Sequence, residues 1–107
     1  MTRDRVSEFE ELTLLAVRAL GEDAYAVAIQ QFIERTTARA VVMGAVYAAL
    51  ERLERKGHLR SKFGGATPVR GGKAKRFYSA TARGRRTMRE MRTQREAMWR
   101  AVEGTSR

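Results

Sequence analysis

The sequence predicts a mainly α-helical protein with one small β-hairpin and a long final helix. Three observations carry that prediction. Apolar residues recur near the helical period as far as Gly57, and the period then drops to two through HLRSKF and KAKRFYSA. Glycines interrupt the stretch between those two runs, as a hairpin tip requires. From Ala82 to about Val102 the helical period returns without a break. A chain of 107 residues bounds all of this to one domain with a single modest core.

Ser7-Glu8-Phe9-Glu10 fits a capping box, so the first helix should start there and run to about Leu20, stopping at Gly21. Its apolar residues, among them Phe9, Leu12 and Ala16, go most of the way round. A helix of that kind is covered on two sides, by its own core and by a second chain. Glu22-Asp23 forms a turn ahead of a second helix, about Ala24 to Arg35, with Tyr25, Ala28, Ile29, Phe32 and Ile33 on one stripe and Thr36-Thr37 as the break. The third helix runs from about Met43 to Lys56 on a narrow core face of Val46, Leu50 and Leu53. In the first strand Leu59 and Phe63 share one face, and His58, Arg60 and Lys62 share the other, where His58 should be solvated or beside phosphate. Thr81 is placed to cap the last helix. Met88, Met91, Met98 and Val102 fall there at heptad spacing, with Arg95 at the remaining seam position.

Charge is unevenly distributed. The formal net charge is +10, yet residues 1–57 carry 8 Lys/Arg against 9 Asp/Glu, whereas residues 58–107 carry 14 against 3. A field of that sign concentrates polyanions, although a solvated basic face is also consistent with it. Without cysteine there is no disulfide framework or thiolate metal site, and one histidine cannot form a histidine zinc site alone. No metal and no cofactor are expected. No apolar run is long enough for a membrane span and the first residues lack a secretory core, so no membrane partner and a cytoplasmic location are expected. The enzyme reading is weakest, because no nucleophile–base pair stands out. The glycines of the hairpin tip do not form a nucleotide loop either: Lys73 is followed by Ala74, and the first glycine's place holds Thr67.

Helix, helix, helix, strand, basic loop, strand, helix is the order of a winged helix-turn-helix, here with an additional long C-terminal helix. The expected division is a DNA-binding unit over 1–80 and a dimerisation helix over 81–107, packed as one body. With Val46, Leu50 and Leu53 inward, the third helix turns Gly44, Ala45, Ala48, Glu51, Arg52 and Arg55 outward. Small residues let a helix backbone approach a major groove; alanines can meet thymine methyls, and Arg52 a guanine edge or a phosphate. An ordinary amphipathic core helix fits the same residues. Glu51 should pair with Arg55 one turn on. At the hairpin, Arg70, Lys73, Lys75 and Arg76 lie around glycines that let a loop follow a phosphate backbone.

From Phe9 to Gly84 the chain resembles the DNA-binding domain of PadR-like transcriptional regulators. The matching stretches are EFEELTLLAVRALGEDAYAVAI, MGAVYAALERLERKGHL and TPVRGGKAKRFYSATARG. The resemblance implies a bacterial homodimer, most often a repressor of nearby transporter or detoxification genes. It implies that Tyr47 contacts phosphate, that the third helix enters the major groove, and that the first and last helices join the protomers. Because the chain ends soon after Val102, it is similar to the short branch of the family. Some short members bind flat aromatic drugs between tryptophans, which makes Met98 and Trp99 candidates for a planar hydrophobic effector.

Read from the residues alone, Tyr47 also fits a half-buried core tyrosine, and Trp99 a packing anchor. Tyr25, Phe32, Phe63 and Tyr78 are assigned to the core. The expected dimer contacts are Phe9, Leu12, Ala16, Met88, Met91, Arg95, Met98 and Val102. Arg95 needs a carboxylate, from Glu96 or Glu103 of a partner copy or from the acidic start of the first helix. The leading reading is therefore a homodimeric, sequence-specific regulator on a near-palindromic duplex site. The alternative is a basic architectural or RNA-binding protein without promoter specificity.

Overall fold

The structure, a computed structural model, describes residues 5–64 and 75–105. Helix α1 spans Glu8–Leu20, a short 3-10 turn spans Gly21–Asp23, and α2 spans Ala26–Thr37. Helix α3 is Met43–Arg55, strands β1 and β2 are Leu59–Gly64 and Lys75–Ala80, and α4 is Ala82–Thr105. The order is that of a winged helix-turn-helix with a long helix appended. Its core is built from Leu14 and Val17 of α1, Ile29 and Ile33 of α2, Val46, Leu50 and Leu53 of α3, and Leu59 of β1.

Helix α1 begins and ends where its local signals place it. Ser7 and Glu10 close a capping box, and Gly21 takes a positive φ of 60° at the far end. Helix α2 is displaced by two residues at both ends. Its start is delayed because the Ala24 carbonyl accepts the Tyr78 N–H at 2.9 Å, which ties Ala24 to β2, and Tyr25 follows in an extended conformation as the cap residue. At its end Thr37 does not break the helix. The hydroxyl donates back to the Ile33 carbonyl at 2.7 Å, and termination falls to Ala38 at φ 59°.

The strands pair antiparallel with Leu59 opposite Ala80 and Gly64 opposite Lys75. Two expectations for this hairpin are corrected. His58 precedes the strand and is fully buried; it is not on a solvated face. Its N–H donates to the Leu53 carbonyl at 2.9 Å and its carbonyl accepts from Thr81 N–H at 3.0 Å. Phe63, expected in the core, is 63% exposed because the hairpin extends past the body it packs on.

Thr81 caps α4 as expected, its Oγ1 accepting from Gly84 N–H at 3.0 Å and donating to the Gly57 carbonyl at 2.6 Å. Gly84 then lies directly on His58: a Cβ there would come within 2.1 Å of the His58 carbonyl oxygen. Only a residue without a side chain permits that approach. Gly84 and Thr87 are buried and Met88 packs on the core, whereas beyond Met91 the described part of α4 is exposed. No helix among the described residues is long and apolar enough to cross a membrane.

Candidate nucleic-acid interface

Helix α3 turns Val46, Ala49, Leu50 and Leu53 inward, which leaves Gly44, Tyr47, Glu51 and Arg55 exposed, with Ala45 and Ala48 half-buried beside them. A Cβ built on Gly44 would meet nothing within 4 Å. The fold therefore does not require glycine at this position, and the space over the helix start is open. Tyr47 is 55% exposed and projects from the body, which removes its reading as a half-buried core residue. Glu51 and Arg55 form the expected pair one turn apart, at 3.7 Å.

Three sets of contacts hold this helix, and they were not read from the sequence. At its start, Gln30 Nε2 donates to the Val41 carbonyl at 2.8 Å, and Val41 N–H donates to Glu34 Oε2 at 2.9 Å. Two side chains of α2 thus secure the turn of the helix-turn-helix. At its end, Arg52 Nε donates to Glu10 Oε2 at 2.5 Å and Lys56 Nζ donates to Glu10 Oε1 at 2.9 Å. On its flank, Ser61 Oγ of β1 donates to Glu54 Oε2 at 2.8 Å.

The middle set changes the role of two residues. Glu10 was read as a capping carboxylate at a helix start; the structure adds that it is only 3% exposed and anchors the C-terminal end of α3. Burial alone would raise its pKa, but the hydrogen bonds from Arg52, Lys56 and the Ser7 N–H outweigh that and lower it to about 2. Arg52, expected to reach a guanine edge or a phosphate, gives its Nε to Glu10 while its side chain stays 41% exposed. Its cation therefore joins α3 to α1. The capping box made Glu10 visible, but nothing local could pair it with cations more than forty residues away.

At the outer end of the paired strands, Lys75 Nζ lies 4.0 Å from the centroid of the Tyr25 ring, and Arg76 Cζ lies 4.5 Å from that of Phe63. Tyr25 is also in edge contact with Phe77 at 5.7 Å. Tyr78 is half-buried between the hairpin and the core, and burial pushes its hydroxyl pKa up; Glu54 and Tyr47 add to the rise and Arg76 opposes it. The other two wing cations singled out in the sequence, Arg70 and Lys73, lie outside the described residues.

Of the expected dimer contacts, Ala16 is corrected. It is 1% exposed within its own chain and belongs to the core. Phe9, Leu12 and Met88 are partly buried against that core and retain an outer edge. Arg95 finds its carboxylate within the chain, its guanidinium donating to both oxygens of Glu11 at the acidic start of α1. Beside it, Met91, Gln94, Arg95, Met98, Trp99 and Val102 line an open groove of ≈ 380 Å³ along α4. Met98, Trp99 and Val102 are all more than half exposed.

A helix-turn-helix with a small-faced third helix, a basic hairpin beside it and a net charge of +10 defines a winged-helix DNA-binding protein. Comparison with known proteins narrows the class. The profile of the transcriptional regulator PadR-like family matches residues 14–90, and the chain belongs to that family. Its members are transcriptional regulators, not enzymes. Among solved structures, the chain is similar to a PadR-like transcription factor from Bacteroides fragilis, with 23% identity and a TM-score of 0.73, covering 92% of this chain and 89% of that one. It is also similar to a transcriptional regulator from Clostridium thermocellum, at 18% identity and a TM-score of 0.71 over 96% and 100% of the two chains. A PadR family regulator from Eggerthella lenta is 25% identical with a TM-score of 0.70, over 91% and 84%. No curated protein matches the sequence.

Proposed function

We propose that the protein acts as a homodimeric, sequence-specific repressor on a near-palindromic duplex site, in the cytoplasm. One α3 per protomer enters successive major grooves about one helical turn (~34 Å) apart. Gly44, Ala45 and Ala48 let the backbone close on the base edges, and Tyr47 and Arg55 reach flanking phosphates. Arg70, Lys73 and Lys75 supply the wing's charge to the backbone on either side.

The observation that carries this reading is the small outward face near the start of α3, with Gly44 exposed and nothing within 4 Å of where a Cβ would stand. Pairing of two copies through α1 and α4 accounts for Leu15, Met98, Trp99 and Val102, large apolar side chains that one chain leaves in water. The gap between paired α4 helices, bordered by Met98 and Trp99, suits a small planar hydrophobic effector. An effector that alters the angle between those helices would alter the spacing of the two α3 helices and release nearby transporter or detoxification genes.

Selection of bound sites from random duplex DNA tests the reading. A two-part motif with half-sites one turn apart is expected. Equal recovery of all duplexes, or preference for RNA, would favour the architectural alternative.

A further inference from the structure

Phe63 and Arg76 face each other across the hairpin, and both stand outside the core. An aromatic ring left 63% exposed needs an explanation, and the guanidinium lying over it supplies one. The contact continues inward. Arg76 Nη1 donates to Ser61 Oγ at 2.8 Å, and that same oxygen donates to Glu54 Oε2 of α3, also at 2.8 Å. Glu54 follows Tyr47 by seven residues, so both lie on the flank of α3 that faces the hairpin. Four side chains therefore form a line from the outer wing to the helix proposed to read DNA.

A two-stranded hairpin is marginal alone. On one face this one joins the body at its inner end, through Leu59 and Ala80, and on the other Tyr25 meets Phe77 and Lys75. The outer end of the face that carries Phe63 needs a tie of its own if the hairpin's angle to α3 is to be fixed. Arg76 is suited to be that tie and poorly suited to hold phosphate. Its guanidinium lies over a ring, one of its donors is used, and its charge is answered through Ser61 by a carboxylate. Neighbouring Lys75 differs, since among the described residues its ammonium lies over a neutral ring on the opposite face of the hairpin, and the residue is exposed.

We propose that Arg76 is a positioning residue that, with Ser61 and Phe63, sets the wing's angle against α3 and makes no phosphate contact of its own. The proposal rests on the DNA-binding reading and refines it. A phosphate contact and a brace differ in their salt dependence, because only the former releases counterions.

The test measures affinity for a selected duplex across a salt series, for wild type, Lys75→Ala, Ser61→Ala, Arg76→Ala and Ser61→Ala/Arg76→Ala. Circular dichroism melts accompany each variant. Ser61→Ala and Arg76→Ala should each weaken binding about three- to tenfold with an unchanged salt slope, and the double variant should be no worse than either. Hydroxyl-radical protection of the flanking backbone should fade while protection over the half-sites persists, a pattern that general loss of folded protein would not give. Ser61→Thr, which keeps the hydroxyl, should restore binding. A slope that falls by about one for Arg76→Ala, as for Lys75→Ala, with Ser61→Ala at wild-type affinity, would make Arg76 a phosphate contact and overturn the proposal. Failure of the wild type to bind any duplex would instead overturn the DNA-binding reading, and the brace with it.

Discussion

Replacing Glu10 with glutamine should expose how much the anchoring of α3 depends on one buried charge. The carboxyl has a pKa of about 2 in the folded chain against a reference of 4.5, a difference of roughly 2.5 units. At about 1.4 kcal/mol per unit this corresponds to about 3 kcal/mol at neutral pH. Water around the two partners, whose side chains are 41% and 28% exposed, screens part of it. A loss of about 2–3 kcal/mol is therefore expected. Because the folded pKa is depressed, the contribution is complete above the unfolded value and is lost as pH falls toward 2. The gap between wild type and Glu10→Gln should be nearly constant from pH 7 to pH 5 and shrink to about 1 kcal/mol at pH 3. Urea unfolding at fixed protein concentration, repeated at those three pH values, measures it. A gap that is absent at pH 7, or that stays the same down to pH 3, would refute the anchoring argument.

Other sites separate folding from function. Gly84→Ala drives a Cβ into the His58 carbonyl and should cost about 2 kcal/mol or more, seen as a fall in Tm of roughly 10 °C. Gly44→Leu meets open space, so its melting should match wild type within about 0.5 kcal/mol while duplex affinity drops at least about tenfold. Lys75→Ala should weaken binding to all duplexes and reduce the salt slope by about one; an unchanged slope would remove Lys75 from the contacts. Met98→Glu, on the exposed face of α4, should convert the dimer to monomer in sedimentation velocity without changing helicity, if α4 joins the two copies.

The parts of the fold that could be read in advance are those that short stretches decide. The capping box at Ser7–Glu10, the stop at Gly21 and the cap at Thr81 act over three or four residues, and all three stand as expected. The start of α2 could not be read, because the Ala24 carbonyl is claimed by Tyr78 of a strand that comes much later in the chain. His58 was misplaced for a similar reason. Alternation puts it outside, but Gly84 of α4 closes over it. At the candidate interface the outward face of α3 was legible from its period. The commitments of its cations were not, since Arg52 and Lys56 answer a carboxylate on α1. Where alternation continued past the body, as at Phe63, pattern alone overstated burial.

The central claim is that α3 reads base edges from the major groove. Methylation interference on a selected duplex tests it most directly, because methyl groups at guanine N7 obstruct the major groove and those at adenine N3 the minor. The account predicts two clusters of guanine N7 interference, about one helical turn (~34 Å) apart, on either side of a centre of symmetry. Interference confined to adenine N3, or a single cluster without a symmetric partner, would contradict it.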